Sequence, residues 1–398
     1  MKKSVAIFGS GPASLAFASF LNPIAFDVTI YEKNKACGRK FLVAGKGGFN
    51  LTFSEPMDQF KKRYIPNAFL EGPLDHFSNT DFQDWLKTIG IETFVGSSKR
   101  VFPIKGIKPI QVLDAILGHI RSNGVEVHYN QEWTGWSNTG LPLINDEIEI
   151  HADYYVYALG GASWKITGST GDWAEKFRSR NIAVNTFLPS NCAFEVEWPD
   201  HFLDYAEGMP LKNIALSCGG KIQKGELVIT RFGLEGNAIY ALSHSIREEL
   251  GANGKAYVSI DFKPMFTMDE IEHRLRNTRS KNHTEFLRRD VKLRKIAIQM
   301  LKNLLPKEKF TDESSLIESI KGFPIWVVGS APIDEAISTA GGVSREELTP
   351  QFELKKMKNH FCVGEMVDWD TRTGGYLLQG CFRMGVFLAS WFNGIIYK

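Results

Sequence analysis

The 398-residue chain has only five cysteines, at positions 37, 192, 218, 362 and 381, and no two stand closer than 19 residues. That spacing excludes a CxxC redox pair and a zinc ligand set, and scattered thiols in odd number point to a reducing cytoplasm. An excess of one charge is also missing, since 47 Lys plus Arg face 45 Asp plus Glu for a net charge of +2. So even a balance demands neither nucleic acid nor an acidic membrane as partner. The nine histidines lack metal-ligand spacing such as HExxH, so no metal is expected. Nothing approaches the roughly 20 apolar residues of a membrane span. Residues 4–26 carry no charge and follow Lys2 and Lys3 in the manner of a signal peptide. Gly9-Ser10-Gly11-Pro12 interrupts that run, however, and favours a buried strand followed by a small-residue helix.

What is present is a globular composition, 43% hydrophobic and 23% charged. It excludes disordered, collagen-like and coiled-coil chains, and the length allows about two or three domains. The opening reads strand (Ser4 to Phe8), glycine turn, helix (Pro12 to Leu21), strand (Asp27 to Tyr31), the first βαβ of a doubly wound α/β sheet. Tyr154 to Leu159 is a continuous apolar run ending in Gly160-Gly161, as a buried parallel strand requires. After Pro189, short strands separated by glycine turns indicate an antiparallel β subdomain over 190–265, followed by a helical subdomain over 266–335. From Phe361 a strand, a loop and a long helix from Tyr376 return the chain to its first domain. The expected organisation is one nucleotide-binding domain built from 1–189 and 336–398 and interrupted by an insert over 190–335.

Gly9-Ser10-Gly11-Pro12-Ala13-Ser14 is a GxGxxG with serine for the third glycine. The first two positions need minimal side chains, one for the tight turn and one for backbone approach to a pyrophosphate at the helix N-terminus. Glu32 follows Gly9 by 23 residues at the end of the second strand, where a carboxylate accepts hydrogen bonds from a ribose. Later segments then reach back toward the dinucleotide. Ala158-Leu159-Gly160-Gly161 ends a strand with room for close approach, and Gly364-Glu365 to Asp368 followed by Gly374-Gly375-Tyr376 delivers acids and a helix N-terminus. A helix dipole there stabilises the charge a reduced isoalloxazine acquires, so FAD is expected over NAD.

The most distinctive stretch runs from Gly38-Arg39-Lys40 through Gly45-Lys46-Gly47-Gly48-Phe49-Asn50-Leu51-Thr52, cations and glycines suited to a pyrophosphate or a flavin edge. With Arg100-Val101-Phe102-Pro103, Gly160-Gly161-Ala162-Ser163-Trp164, Gly168 to Asp172 and the block from Gly364 to Gln379, it resembles the BaiN/YhiN-type family of FAD-dependent oxidoreductases nearly end to end. The resemblance implies a GR2-type Rossmann FAD-binding domain made of both chain ends, interrupted by a β-barrel-like plus helical insert. The family's usual loop reads Gly-Gly-Gly-Arg-Cys-Asn-Leu-Thr, whereas here Lys46, Gly48 and Phe49 replace a glycine, the arginine and the cysteine. By matching position, the resemblance implies that Asn50, Leu51 and Thr52 line the flavin. It assigns Glu365, Asp368, Gly375, Tyr376, Leu377, Leu378 and Gln379 to the ribityl chain and ring, and Val127 to a backbone contact with adenine. Lys33, beside Glu32, belongs to the same cofactor set.

Candidates for the pocket over the ring are Lys46, Asn50, Trp164 and Tyr376. Cys37 has no neighbouring thiol, which favours a buried packing role over a redox one. Between Glu272 and Lys309 stand 12 Lys or Arg against 4 Asp or Glu. The bland reading, a solvated face over an apolar inner side with Phe286, Leu287 and Val291, is preferred to an RNA-binding surface. The expected function is hydride transfer between flavin and a small organic substrate. A flavin-dependent RNA-modifying or RNA-binding protein and a flavin binder without turnover stand as alternatives. No second GxGxxG follows a strand, so NAD(P)H enters only as a transient electron donor.

Overall fold

Lys3–Phe8 (β1) is the central strand of a five-stranded sheet whose order is β5-β4-β1-β2-β3, with β2 Phe26–Glu32, β3 Glu126–Tyr129, β4 Tyr154–Tyr157 and β5 His360–Cys362. All four strand pairs are parallel. The computed structural model describes residues 1–43 and 48–395. Two compact units emerge, Met1–Pro189 together with Ile333–Lys398, and Ser190–Pro332.

The central place of β1 follows from its composition. Val5, Ala6, Ile7 and Phe8 are all buried, which a strand covered on both faces requires. Helix α1, Pro12–Phe20, leaves the strand through the glycine turn, and its small residues let a second helix approach closely. That helix is α2, Tyr376–Ile395. A Cβ on Gly385 would lie 2.2 Å from the Ala13 carbonyl oxygen, so this crossing needs glycine. The uncharged stretch that imitates a signal peptide thus supplies β1 and α1 of the first unit. Around α2, Phe392 packs edge-on against Phe17, at 5.2 Å between centroids, and Phe382 sits 4.5 Å from Phe82. Truncating either ring would cost about 3–5 kcal/mol.

Two smaller elements position the candidate site. Thr52–Phe53 pairs antiparallel with Arg100–Pro103, aligning Thr52 with Val101, so the Arg-Val-Phe-Pro motif braces the end of the glycine-rich loop. Arg39–Val43 forms a short helix where the sequence suggested only loop.

The second unit is built on a seven-stranded sheet. Its order is Phe323–Val327, Ala256–Asp261, Pro210–Cys218, Lys221–Ile229, Gly233–Glu235, Phe194–Glu195, Gly329–Ser330, and every pairing among them is antiparallel. The sheet takes two strands from within 266–335, where the sequence suggested helices throughout, and Ser243–Asn253 is a helix inside the stretch read as β. The short runs Phe323–Val327 and Gly329–Ser330 find their partners more than sixty residues upstream, in Ala256–Asp261 and Phe194–Glu195, which local periodicity does not reveal. Helices Met268–Arg276, His283–Arg289 and Lys295–Leu304 bury Ile271, Phe286, Leu287, Ile296 and Leu301, so the expected apolar inner side is present. All five cysteines are buried thiols. No described helix is long and apolar enough to cross a membrane.

Candidate cofactor site

The β1–α1 turn is shaped by two glycines with different duties. Gly9 has φ +95°, and a Cβ there would meet the Ala158 carbonyl oxygen at 2.5 Å. Gly11 has ordinary extended geometry and nothing within 4 Å of its would-be Cβ, so it leaves open space at the start of α1. No side chain caps α1, and Pro12 occupies the first turn, leaving the remaining N–H groups of Ala13 and Ser14 available to an anion. Ser14, in the third-glycine position, is fully buried, and its hydroxyl donates to the Gly11 carbonyl at 2.8 Å.

Glu32 organises this end. It is 7% exposed, and Oε2 accepts from the Ser10 amide at 3.1 Å and from the Ser10 hydroxyl. Oε1 accepts from the Asn34 amide and side chain at 2.8 and 2.7 Å. Four donors therefore surround one carboxylate, and a ribose hydroxyl would take the place of one of them, most simply the Ser10 hydroxyl. Arg39 donates to the Asn34 side chain at 2.7 Å and to the Ile166 carbonyl at 2.8 Å, while Lys33 lies 3.7 Å from Glu132. Gly38, at φ +61°, lies against Leu113. Val127 aligns with Ile30 on β3.

Lys40 ties the two ends of the chain together. Its ammonium donates to the Ser163 hydroxyl at 2.8 Å and to the Glu365 carboxylate at 2.8 Å. Glu365 also accepts from the Thr339 amide at 3.1 Å. Gly160 follows β4 at φ +76°, and a Cβ on Gly161 would lie 1.9 Å from the Thr339 hydroxyl, so Ala158-Leu159-Gly160-Gly161 and Gly364-Glu365 approach closely at this point. Asp368 is engaged elsewhere, by the Gly341 amide at 3.1 Å and the Asn185 amide group at 2.7 Å. Its carboxylate thus joins the Gly341 backbone to the Asn185 side chain.

The other end lies at the start of α2. Gly375 has φ +89°, and a Cβ there would fall 2.8 Å from the Thr52 Cα and 3.0 Å from the Asn50 amide nitrogen, so only glycine lets the helix begin so close to the loop. Gly374, at φ +125°, faces Phe53 and Tyr376. Leu51 is fully buried and its amide donates to the Val101 carbonyl at 2.8 Å. Phe49, where the family usually has cysteine, packs edge-on against Phe41 at 4.9 Å. Here the protein leaves polar atoms without partners among the described residues: Asn50 Nδ2, Thr52 Oγ1 and Gln379 Oε1, all buried. Leu377 and Leu378 are half-buried beside them. An N-terminus of a 20-residue helix, an amide donor, a hydroxyl and an amide acceptor form a donor and acceptor set that fits the polar edge of a flavin.

Tyr376 is fully buried, stacked on Phe53 at 5.3 Å, and its hydroxyl donates to Glu55 at 2.7 Å. Burial pushes its pKa above the usual phenol range. Burial also raises Glu55, but hydrogen bonds from Arg63 and Tyr376 outweigh it and hold the carboxyl below its ordinary value. The Tyr376 proton is therefore held by Glu55, which makes Tyr376 a wall of the site. Trp164 takes a left-handed conformation at φ +61° and shares no hydrogen bond or ring contact with Asn50 or Tyr376 among the described residues. Lys46, Gly45 and Gly47 lie outside the described residues, and Gly48, at φ +105°, is the first described residue after them. Glu55, Arg63, Ser163 and Thr339 also belong to the site or its support and were missed as site residues, because Glu55 and Ser163 answer to partners remote in sequence, Tyr376 and Lys40, and Thr339 and Arg63 stand in no recognisable motif. Arg63 holds Glu55 at 3.0 and 2.9 Å across the helix Met57–Lys61, and no local motif marks it.

Comparison with known proteins agrees with this architecture. The family described as HI0933-like protein Rossmann domain matches residues 3–391. The 3-dehydro-bile acid delta(4,6)-reductase of Clostridium scindens is 23% identical, with 96% of this chain and 97% of that protein covered. The ribosomal RNA dihydrouridine synthase of Escherichia coli K12 is also 23% identical, covering 94% of each. Among solved structures, the 3-ketosteroid-delta4-(5alpha)-dehydrogenase of Rhodococcus jostii superposes with a TM-score of 0.50 at 14% identity, over 98% of this chain and 97% of that one. It shares the fold.

Proposed function

We propose that this chain, which belongs to the HI0933-like Rossmann-domain family, exchanges a hydride between bound FAD and a carbon–carbon double bond conjugated to a carbonyl group. The membership expected from the BaiN/YhiN-type motifs is borne out, and the chain is a flavin-dependent oxidoreductase. The bond it acts on is our reading. It is supported by two relatives whose names denote a delta(4,6)-reductase and a dihydrouridine synthase.

One observation carries the cofactor assignment, the gathering of unpartnered Asn50, Thr52 and Gln379 polar atoms beside the start of α2. Buried polar groups without partners are costly, and a site that concentrates them is completed by a polar ligand. In this reading Gly9, Gly11 and the open N-terminus of α1 hold the pyrophosphate, and Glu32 holds the adenosine ribose. Lys40, Glu365 and Gly160-Gly161 flank the middle of the cofactor, and Asn50, Thr52, Gln379 and the α2 N-terminus hold the ring. FAD, when bound, supplies the hydride chemistry. The chain orients the ring, keeps water from it and sets its electrostatics. Tyr376, with its proton engaged by Glu55, is an orienting wall.

The test is anaerobic reduction of the purified holoprotein. NADH and NADPH are offered as donors, and enones, uridine-containing RNA, amines and hydroxy acids as partners, with the flavin absorbance followed. Reoxidation of reduced enzyme by enones or RNA, and not by saturated analogues, is expected. Reduction by amines or hydroxy acids alone would contradict the reading.

A second reading, RNA as the substrate, is favoured by one feature of the second unit. Arg274, Arg276, Arg279, Lys281, Arg288, Arg289, Lys292, Arg294 and Lys295 are all exposed. Among the described residues only Arg276 and Arg289 of these nine form ion pairs, each with a glutamate on its own helix. Clustered free cations bind a polyanion by counterion release. Binding of an rRNA fragment that weakens steeply with salt and is lost on neutralising Arg288, Arg289 and Lys292 would support it; salt-insensitive or absent binding would remove it.

A further inference from the structure

Arg383 lies on α2 with no solvent exposure and is the one buried cation among the described residues. Its guanidinium carbon sits 4.6 Å from the centre of the Phe60 ring, and Nη2 is 3.6 Å from the Met57 sulfur. Nε and Nη1 have no hydrogen-bond partner. Among the described residues no carboxylate pairs with it: Glu55 is held by Arg63, and Asp75 and Asp81 act on it only as more distant charges. Burial lowers its pKa to about 10, which still leaves it charged at neutral pH. Of the other cations near the candidate cofactor site, Lys40 pairs with Glu365 and Arg63 with Glu55, while Arg39 donates to Asn34 and the Ile166 carbonyl at the exposed edge.

The position of this buried charge is informative. Tyr376, Gln379 and Arg383 follow one another at i, i+3 and i+7, so they share one face of α2. Tyr376 and Arg383 both rest on Phe60. Side chains of a helix lean toward its N-terminus, which directs the guanidinium toward the turn of Gln379, whose own Oε1 is unpartnered. An uncompensated charge in a dry interior acts over a longer range than the same charge in water.

Resting on the FAD reading above, we propose that Arg383 is a fixed interior charge that raises the reduction potential of the flavin by stabilising the negative charge the cofactor takes up. Two-electron reduction adds two electrons and one proton to FAD, so a net negative charge appears on the ring system, and the buried positive charge of Arg383 on α2 favours that product. Arg383 therefore sets the driving force for hydride transfer without touching the substrate.

The test compares four variants with the parent holoprotein: R383M, R383K, M57E and M57Q. Flavin content is read first, then the two-electron midpoint potential and the affinity for sulfite, which adds to electron-poor flavins. R383M removes the charge at similar length. M57E neutralises it by placing a carboxylate beside the intact guanidinium, and M57Q controls for the substitution. Both R383M and M57E are expected to weaken sulfite binding about tenfold and to lower the potential by about 30 mV, the equivalent of tenfold for a two-electron couple. R383K and M57Q should stay near the parent. Parent-like potentials in flavin-loaded R383M and M57E would overturn the proposal, as would an equal fall in R383K, which would indicate a packing role. If R383M does not fold, M57E against M57Q decides. A parent protein that takes up no FAD would overturn the functional reading itself, an outcome distinct from a yellow protein with an unshifted potential.

Discussion

Around the β1–α1 turn, Glu32 is surrounded by donors from Ser10 and Asn34, and Lys40 and Glu365 neutralise each other. Along the first two turns of α2, Asn50, Thr52, Gln379 and Arg383 keep buried polar atoms with no partner among the described residues. Both regions belong to the same unit, and both are assigned to one cofactor. The first is preformed, since its groups are satisfied by the chain and a ligand would substitute for existing bonds. The second is complete only with a ligand, because an unmet buried donor or acceptor costs about 1–3 kcal/mol. On this assignment, affinity originates at different ends by different means: shape and an open helix terminus at one, relief of unsatisfied groups at the other.

The sharpest break of this comparison is at the glycine turn. Gly11→Val should give folded protein with at least about tenfold lower FAD affinity, since its side chain enters open space meant for phosphate. Gly9→Ala should instead destabilise the fold, by about 1–3 kcal/mol, because φ +95° and the Ala158 carbonyl at 2.5 Å both oppose a Cβ. Thermal melts of the two apoproteins, with flavin content, separate these outcomes; a stable Gly9→Ala or a yellow Gly11→Val contradicts the assignment of duties. Glu32→Ala removes the hub of the saturated end and should weaken FAD retention by about 1–3 kcal/mol by calorimetry. Unchanged retention would argue against the ribose role.

The smallest effect is the most discriminating. Thr52→Val replaces an unpartnered buried hydroxyl by a methyl of nearly the same shape. It should raise apoprotein stability by up to about 1 kcal/mol and lower FAD affinity by a similar amount, two changes of opposite sign. Denaturant titration of apoprotein alongside FAD titration checks both. A loss of stability in the apoprotein would mean that Thr52 has a partner of its own.

The saturated end was legible because its signals are local. Two glycines, a small third residue and an acid at the end of the next strand each have a mechanical reason to stand where they do, and β1, α1 and β2 follow within a residue or two. The start of α2 was half legible: Asn50, Thr52 and Gln379 came from family resemblance, and their shared lack of partners appears only in the folded chain. Arg383 carried no signal, since an arginine in a long helix reads as surface until the helix is seen to be buried on that face. Glu55 with Tyr376 and Lys40 with Glu365 join residues more than three hundred positions apart, beyond any motif. Asp368, assigned to the ligand by family resemblance, holds the Gly341 amide and the Asn185 side chain, partners that no local motif marks.

The account is tested most directly by a structure of this protein crystallised with FAD. It predicts the adenosine ribose at Glu32, the pyrophosphate over Gly11 at the start of α1, and the isoalloxazine edge within hydrogen-bond distance of Thr52 and the first turn of α2. A flavin found elsewhere, or bound with Asn50, Thr52 and Gln379 still unpartnered, would contradict it.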